Sequence, residues 1–351
     1  MAAPDPPVLA ARFRRFLDRL TPGRPVAVLC HNDADGLAAG ALLTRGLGQL
    51  GHAVAIEITR KGENAGASGV RPRLAGHDPQ ALIVADLGSR PEPILPGVPT
   101  LLIDHHVPEG RPADAELLTG YGLQPTPTSG LLTYWCVGAV ADVAGLDWIA
   151  AVSILSDLGD TDDFELLTAA KQRYRLKPLR EAVTLLNAPR RSASGDARPA
   201  LDLLLTADHP LAITQGRGYA AQALRAAKAE VGIALGEAKQ AAPTVSGDVA
   251  LVMVHTPCQV HPLIAQGWRN RLPKHIVLAA NTGYLPGQVN FSARTASGVN
   301  LIDFLARHAP ADAGDAYGHG HDQATGGALK PAAWNEFVTR LGFGLEVCVP
   351  V

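Results

Sequence analysis

The stretch Cys30-His31-Asn32-Asp33-Ala34-Asp35-Gly36 follows directly on the apolar run Pro25-Val26-Ala27-Val28-Leu29. A short run rich in Val and Leu reads as a buried strand, and the Ala/Leu-rich segment from Leu37 to Leu50 as a helix. One imidazole and two carboxylates therefore fall at alternate positions in a strand-to-helix turn. In open parallel α/β sheets ligands bind at the C-terminal strand ends. The turn is thus a candidate half-site for a cation.

Working outward, the arrangement recurs. His52 to Thr59 reads as a second strand, and Lys61 to Gly76 as a Gly-rich, broken segment. Ala81-Leu82-Ile83-Val84-Ala85 is a third strand ending on Asp86, and Thr100-Leu101-Leu102-Ile103 a fourth ending on Asp104-His105-His106. One acid after a strand is readily a helix cap. Three strand ends carrying four Asp and three His are hard to explain as caps. A helix is expected from Leu131 to Ala144, capped by Ser129 or Thr128, and another from Asp147 to Leu158. In the second, Asp157 sits beside apolar Ile154 and Leu155 as a further ligand candidate, whereas Asp162 and Asp163 read as solvated turn residues.

The 351 residues suggest two or three domains. With 47% hydrophobic and 18% charged residues the chain has the make-up of a soluble globular protein. A net charge of −2 gives no global attraction to long nucleic acid. Four dispersed cysteines without a CxxC pair argue against a disulfide framework and against a thiolate zinc site. The Pro-rich start lacks a signal-peptide pattern and no apolar run approaches membrane-span length, so a cytoplasmic protein with no membrane partner is expected.

Lys171 to Leu205 reads as mixed helix around a linker at 188–199, and Pro210 to Ala241 as one long helix joining two domains. The expected division is 1–190 for a catalytic α/β domain with a parallel sheet, 191–243 for linker and connecting helix, and 244–351 for a smaller α/β domain. The last carries strands at 250–254, 276–280 and 288–294, with helices near 262–271 and 301–308. Its Tyr317-Gly318-His319-Gly320-His321 to Gly327 stretch reads as a Gly/His-rich loop. With Arg294 it would make a phosphate clamp, since glycines let backbone N–H groups approach an anion and Arg can grip one bidentately.

Carboxylates with imidazole, and no thiolate nearby except Cys30, favour Mn²⁺ or Mg²⁺ over the alternatives Zn²⁺ and Fe²⁺. Two cations about 3.5–4 Å apart can activate a water and offset phosphoryl charge. One carboxylate must bridge them, and Asp86, from a middle strand, is the choice.

HNDADG at 31–36, Asp86 after its strand, IDHH at 103–106 and SDLGD at 156–160 resemble the four motifs of the DHH phosphoesterase family. FSAR at 291–294 with GHGHDQATGG at 318–327 resembles that family's DHH-associated C-terminal domain. The resemblance covers roughly residues 20–165 and 245–335. It implies His31, Asp33 and Asp86 on one metal, and Asp35, Asp86, His105 and Asp157 on the other. It implies that Asp104 orients the neighbouring histidines and that His106 faces the substrate phosphate as stabiliser or general acid. Arg294 and His321, with His319 and Gly320 beside them, would hold substrate across an interdomain cleft that closes on it. His319 stands where the family pattern has Gly, and Gly159-Asp160 where many RecJ-like members have Pro.

The compact first motif is similar to that of RecJ-type nucleases, while the length and near-neutral charge suggest a core without an extra nucleic-acid-binding domain. The leading expectation is a Mn²⁺-dependent exonuclease on short single-stranded DNA or RNA. The alternatives are an enzyme for phosphoadenosine phosphate or cyclic dinucleotides, and a non-catalytic replication-associated scaffold. Polarity of digestion and oligomeric state, a homodimer included, are left open.

Overall fold

A computed structural model describes residues 6–160, 163–314 and 316–351, apart from the side chains of His319 and His321. Asp162 lies outside the described residues. The chain divides into two compact units, Met1–Arg190 with Ser194–Ala226, and Arg191–Ala193 with Ala227–Val351.

The first unit opens with α1 (Pro6–Leu17), β1 (Pro25–Cys30), α2 (Ala34–Gln49), β2 (Ala53–Ile58), α3 (Val70–Ala75), β3 (Ala81–Ala85), β4 (Thr100–Asp104) and β5 (Ala115–Thr119). Helices α4 (Ser129–Gly138), α5 (Asp147–Asp157), α6 (Glu165–Tyr174), α7 (Leu176–Arg191), α8 (Arg198–Thr206) and α9 (Pro210–Gln215) follow. Among the described residues the strands form one parallel sheet in the order β2-β1-β3-β4-β5. The order reverses between β1 and β3, and such a switch point is where open α/β sheets bind ligands.

Strands β1 and β3 are apolar throughout because both faces of the sheet are covered there. Val26, Val28 and Cys30 pack into the core shared with α1, α2, α4 and α5. Ala27 and Leu29, pointing the other way, pack with Val70, Leu74, Leu82 and Val84.

Helix α10 (Tyr219–Ala238) crosses the boundary between the units. Then come β6 (Thr244–Ser246), β7 (Val249–Val254), α11 (His261–Arg269), β8 (Ile276–Asn281), β9 (Val289–Thr295), α12 (Leu301–His308), β10 (Tyr317–His321), β11 (Ala324–Leu329) and α13 (Pro331–Arg340). The second sheet runs β10-β11-β9-β8-β7-β6, and among the described residues only its β7–β8 pair is parallel. The second unit has its own core, in which Phe291, Trp334 and Phe337 stack between β9 and α13.

Several sequence expectations need correction, and the helix expected from Leu131 to Ala144 is α4, which ends at Gly138. Helix α2 starts at Ala34, not Leu37, because Asp33 caps it by accepting from Gly36 N at 3.0 Å, so Asp35 lies inside the first helical turn. Strand β5 was not foreseen, since Ala115–Thr119 has no long apolar run. The single helix expected over 210–241 is two, broken at Gly216-Arg217-Gly218, where glycine lowers helix propensity. The Gly/His-rich loop at 317–327 is a β-hairpin, in which Gly320 pairs with Thr325.

Candidate metal centre

Asp86 follows β3 in the left-handed region at φ 64°, which a non-glycine residue adopts at some energetic cost. This bend places a buried carboxylate between two groups of ligand atoms. Its Oδ2 lies 3.5 Å from His31 Nδ1, and its Oδ1 lies 3.5 Å from His105 Nε2. Ser129 Oγ donates to Oδ1 at 3.0 Å, which fixes the carboxylate's rotation.

On one side stand His31, Asp33 and Asp86, and on the other Asp35, Asp86, His105 and Asp157. Within each group the ligand atoms lie within 4.8 Å of one another. A third grouping joins Asp86, His105 and His106. Asp86 is common to all of them.

Each ligand is positioned by the fold. His31 and Asp33 leave the end of β1, with His31 Nδ1 at 2.9 Å from Asp33 Oδ2. Asp35 is fully buried in α2 and meets the start of α4, where Ser129 N donates to its Oδ2 at 3.0 Å and Gly130 N to its Oδ1 at 2.7 Å. A Cβ on Gly130 would sit 2.6 Å from Ser153 Oγ and 3.0 Å from Asp35 Oδ1, so this approach needs glycine. Asp157 ends α5, four residues after Ser153, which donates to Asp35 Oδ1 at 2.6 Å. Positions four apart share a helix face, so α5 supplies both a candidate ligand and a donor that steadies another.

Asp104 accepts from His106 N at 2.7 Å and pairs with His106 Nδ1 at 3.0 Å through one oxygen. The other oxygen accepts from Gly88 N at 2.7 Å, joining the exits of β3 and β4. The orienting contact is with His106, and the rings of His105 and His106 stand edge to face, 4.4 Å between centroids.

The electrostatics ask for a cation. Among the described residues His105 Nε2 is buried without a hydrogen-bond partner, at 3.4 to 3.8 Å from oxygens of Asp157, Asp86 and Asp35. Burial first, then Asp86 and Asp157, push Asp35 well above the ordinary carboxylate range. Burial first, then Asp33 and Asp86, raise Asp157 to about 7. For His31, burial opposes protonation but Asp33 and Asp86 outweigh it, holding the imidazole up at about 10. The same contest, decided by Asp86, Asp35 and Asp157, puts His105 at about 10. Without a cation the cluster holds protons in its place. An oxygen-rich donor set with imidazole and an orphaned ring nitrogen fits a divalent ion such as Mn²⁺ or Mg²⁺. Cys30 is no part of it, because burial and then Asp86 and Asp33 keep its thiol neutral.

Sequence reading missed four contributors. Besides Ser129 and Ser153, Asn187 on α7 accepts from Ala34 N at 3.2 Å and donates to Ser156 Oγ at 3.2 Å, tying α7 to the first ligand turn and to α5. Arg190 Nη1 lies 3.6 Å from Asp33 Oδ2. The i, i+4 spacing of Ser153 and Asp157 was the one available signal. Asp160 forms a part-exposed ion pair with Arg180 at 2.8 Å, a contact of about 1 kcal/mol at most.

In the second unit, Arg294 on β9 donates from Nη1 to Ala293 O at 2.8 Å and Thr325 O at 3.1 Å. Burial and then Arg269 lower its pKa. His319, Gly320 and His321 lie on β10, and the side chains of His319 and His321 are outside the described residues.

No protein-family model and no curated protein sequence matches the chain. Solved structures do. RecJ from Thermus thermophilus in complex with Mn²⁺ superposes with a TM-score of 0.69 at 20% identity, over 95% of this chain and 53% of that one. An exonuclease RecJ bound to manganese gives 0.66 at 19%, over 97% and 94% of the two chains. The DHH domain of a member of a ribosomal-protein family gives 0.67 at 15%, over 95% and 88%. The chain thus spans about half the length of the Thermus RecJ and nearly all of the second RecJ structure. It has the DHH-family fold, in a two-unit RecJ-like form.

Proposed function

We propose that this chain is a metal-dependent phosphodiesterase that hydrolyses short oligonucleotides or single-stranded nucleic-acid ends. The observation that carries the reading is the placement of Asp86, whose two oxygens each face a separate ligand group at 3.5 Å. One group is His31, Asp33 and Asp86, the other Asp35, Asp86, His105 and Asp157. When bound, two divalent cations, Mn²⁺ by preference, lower the pKa of a water and offset the charge of a phosphoryl group. Similarity to the fold of RecJ, a protein solved with Mn²⁺ and with Mg²⁺, supports the choice of ion.

The chain's own residues have distinct tasks. Asp104 holds His106 Nδ1 and so sets the ring's orientation toward a phosphoryl oxygen or leaving group. Burial opposes the charge on His106 but Asp104 outweighs it, so the imidazolium persists to a higher pH than usual and acts as stabiliser or proton donor. Asp35 is steadied by three donors, so it keeps its place as charge enters or leaves the centre. In the second unit, Arg294, His321, His319 and Gly320 are the proposed substrate contacts. Domains at 1–190 and 244–351, joined by 191–243, would divide catalysis from substrate holding.

The test is a product ladder with Mn²⁺, using end-labelled DNA and RNA oligomers of graded length beside phosphoadenosine phosphate and cyclic dinucleotides. Stepwise shortening to mononucleotides is expected, and the label position gives polarity. Turnover of the small nucleotides alone would move the assignment to a signalling-nucleotide hydrolase. Silence on every substrate with metal bound would point to a scaffold.

A further inference from the structure

Helix α7 presents a fixed positive charge to one side of the metal centre. Arg190 stands three residues after Asn187, and residues so spaced are neighbours on a helix surface. Asn187 accepts from Ala34 N at 3.2 Å, and Arg190 reaches the preceding residue, its Nη1 3.6 Å from Asp33 Oδ2. Oδ1 of Asp33 is engaged by Gly36 N, whereas Oδ2 faces His31 Nδ1 at 2.9 Å. The arginine therefore shares the oxygen that Asp33 turns toward its fellow ligand.

Arg190 is poorly placed for solvation. Its side chain is 20% exposed, and among the described residues its Nε is buried without a hydrogen-bond partner and Asp33 is its one acidic partner. A guanidinium does not give up its proton in a protein, so the charge stays. The group of Asp35, Asp86, His105 and Asp157 has no such neighbour. Among the described residues its carboxylates pair with the imidazoles of His31 and His105, and with no Lys or Arg.

The two groups thus offer a cation different charge. With Asp86 counted in both, the His105 group has three carboxylates, and the His31 group has two carboxylates with a guanidinium beside them. Cation affinity follows the charge of the ligand set, and a like charge nearby opposes binding. We infer that Arg190 makes the two cation positions unequal, the His105 group filling first and the His31 group held weak. The inference rests on the two-cation reading of the centre. It gives the cluster one resident ion and a second that comes and goes with free Mn²⁺, so that metal supply sets activity.

The experiment is calorimetric titration of the metal-free full chain with Mn²⁺ alone. The wild type should show a stronger and a weaker event, separated by about tenfold or more in affinity. Arg190→Gln should tighten the weaker event by about tenfold and leave the stronger in place, while Arg190→Lys, which keeps the charge, holds the two apart. The sign separates this role from mere support, since loss of a structural contact loosens metal. Independently of the arginine, His31→Gln should remove the weaker event and Asp157→Asn should weaken the stronger. Equal events in the wild type would overturn the inference even if oligomers are cleaved. So would a weaker event that does not tighten in Arg190→Gln, or one that disappears with Asp157→Asn and survives His31→Gln. Unequal events that respond as expected, in a protein that hydrolyses no phosphodiester, would keep the inference and remove the phosphodiesterase reading.

Discussion

Ser153 Oγ donates to Asp35 Oδ1 at 2.6 Å, and both residues are fully buried. The bond joins α5 to the first turn of α2 across 118 residues. Ser153→Ala should cost about 1–3 kcal/mol of stability in EDTA, since it leaves a buried carboxylate short of a donor. It should also weaken the first Mn²⁺ bound by about tenfold or more, as loss of a ligand's supporting bond does. Urea denaturation and metal titration check the two effects separately.

Asp86→Ala should abolish hydrolysis and reduce bound metal at both positions, because both ligand groups share this residue. Elemental analysis after dialysis reads the metal content. Retained turnover would remove Asp86 as the bridge. A loss confined to one metal would assign it to a single group.

Asp104→Asn should lower the His106 pKa, because the charge that outweighs burial is removed. If the imidazolium is the active form, activity falls as pH rises through that pKa. The alkaline limb of the kcat profile should then move to lower pH in the variant. An unmoved limb would show that His106 is not the titrating group.

In the second unit, His261 is buried with Nδ1 unpartnered among the described residues, and burial and then Arg294 hold it down at about 3. An unfolded chain titrates it near 6.5. Between those values the unfolded state binds the proton and the folded state does not. Its contribution to stability is therefore intact above about pH 6.5 and declines as pH falls toward 3, by up to about 1.4 kcal/mol per unit. His261→Phe should flatten this dependence. Urea midpoints at pH 7.5 and pH 5 measure it, and equal losses in both proteins would count against the mechanism.

Arg294→Ala should mainly raise KM, with metal content unchanged. A fall in bound Mn²⁺ on this change would contradict its role as a substrate contact.

The apolar runs of β1, β3 and β4 and the acids and imidazoles that end them were legible because strand periodicity and side-chain chemistry are local. Once a parallel sheet is granted, those ends lie on one edge, and the ligand candidates gather without further information. The Gly/His segment at 317–327 misled for the converse reason. Glycine permits a loop and a hairpin alike, and pairing with β9 through β11 selects the hairpin.

The sequence by itself determined which side chains are available at the strand ends and that they suit a cation. Tertiary structure decided how they are held. The strand order, the left-handed turn at Asp86, the three donors on Asp35 and the bond from Ala34 N to Asn187 across 153 residues depend on partners distant in the chain. No local pattern encodes such pairings, because a donor and acceptor meet only after the core has packed.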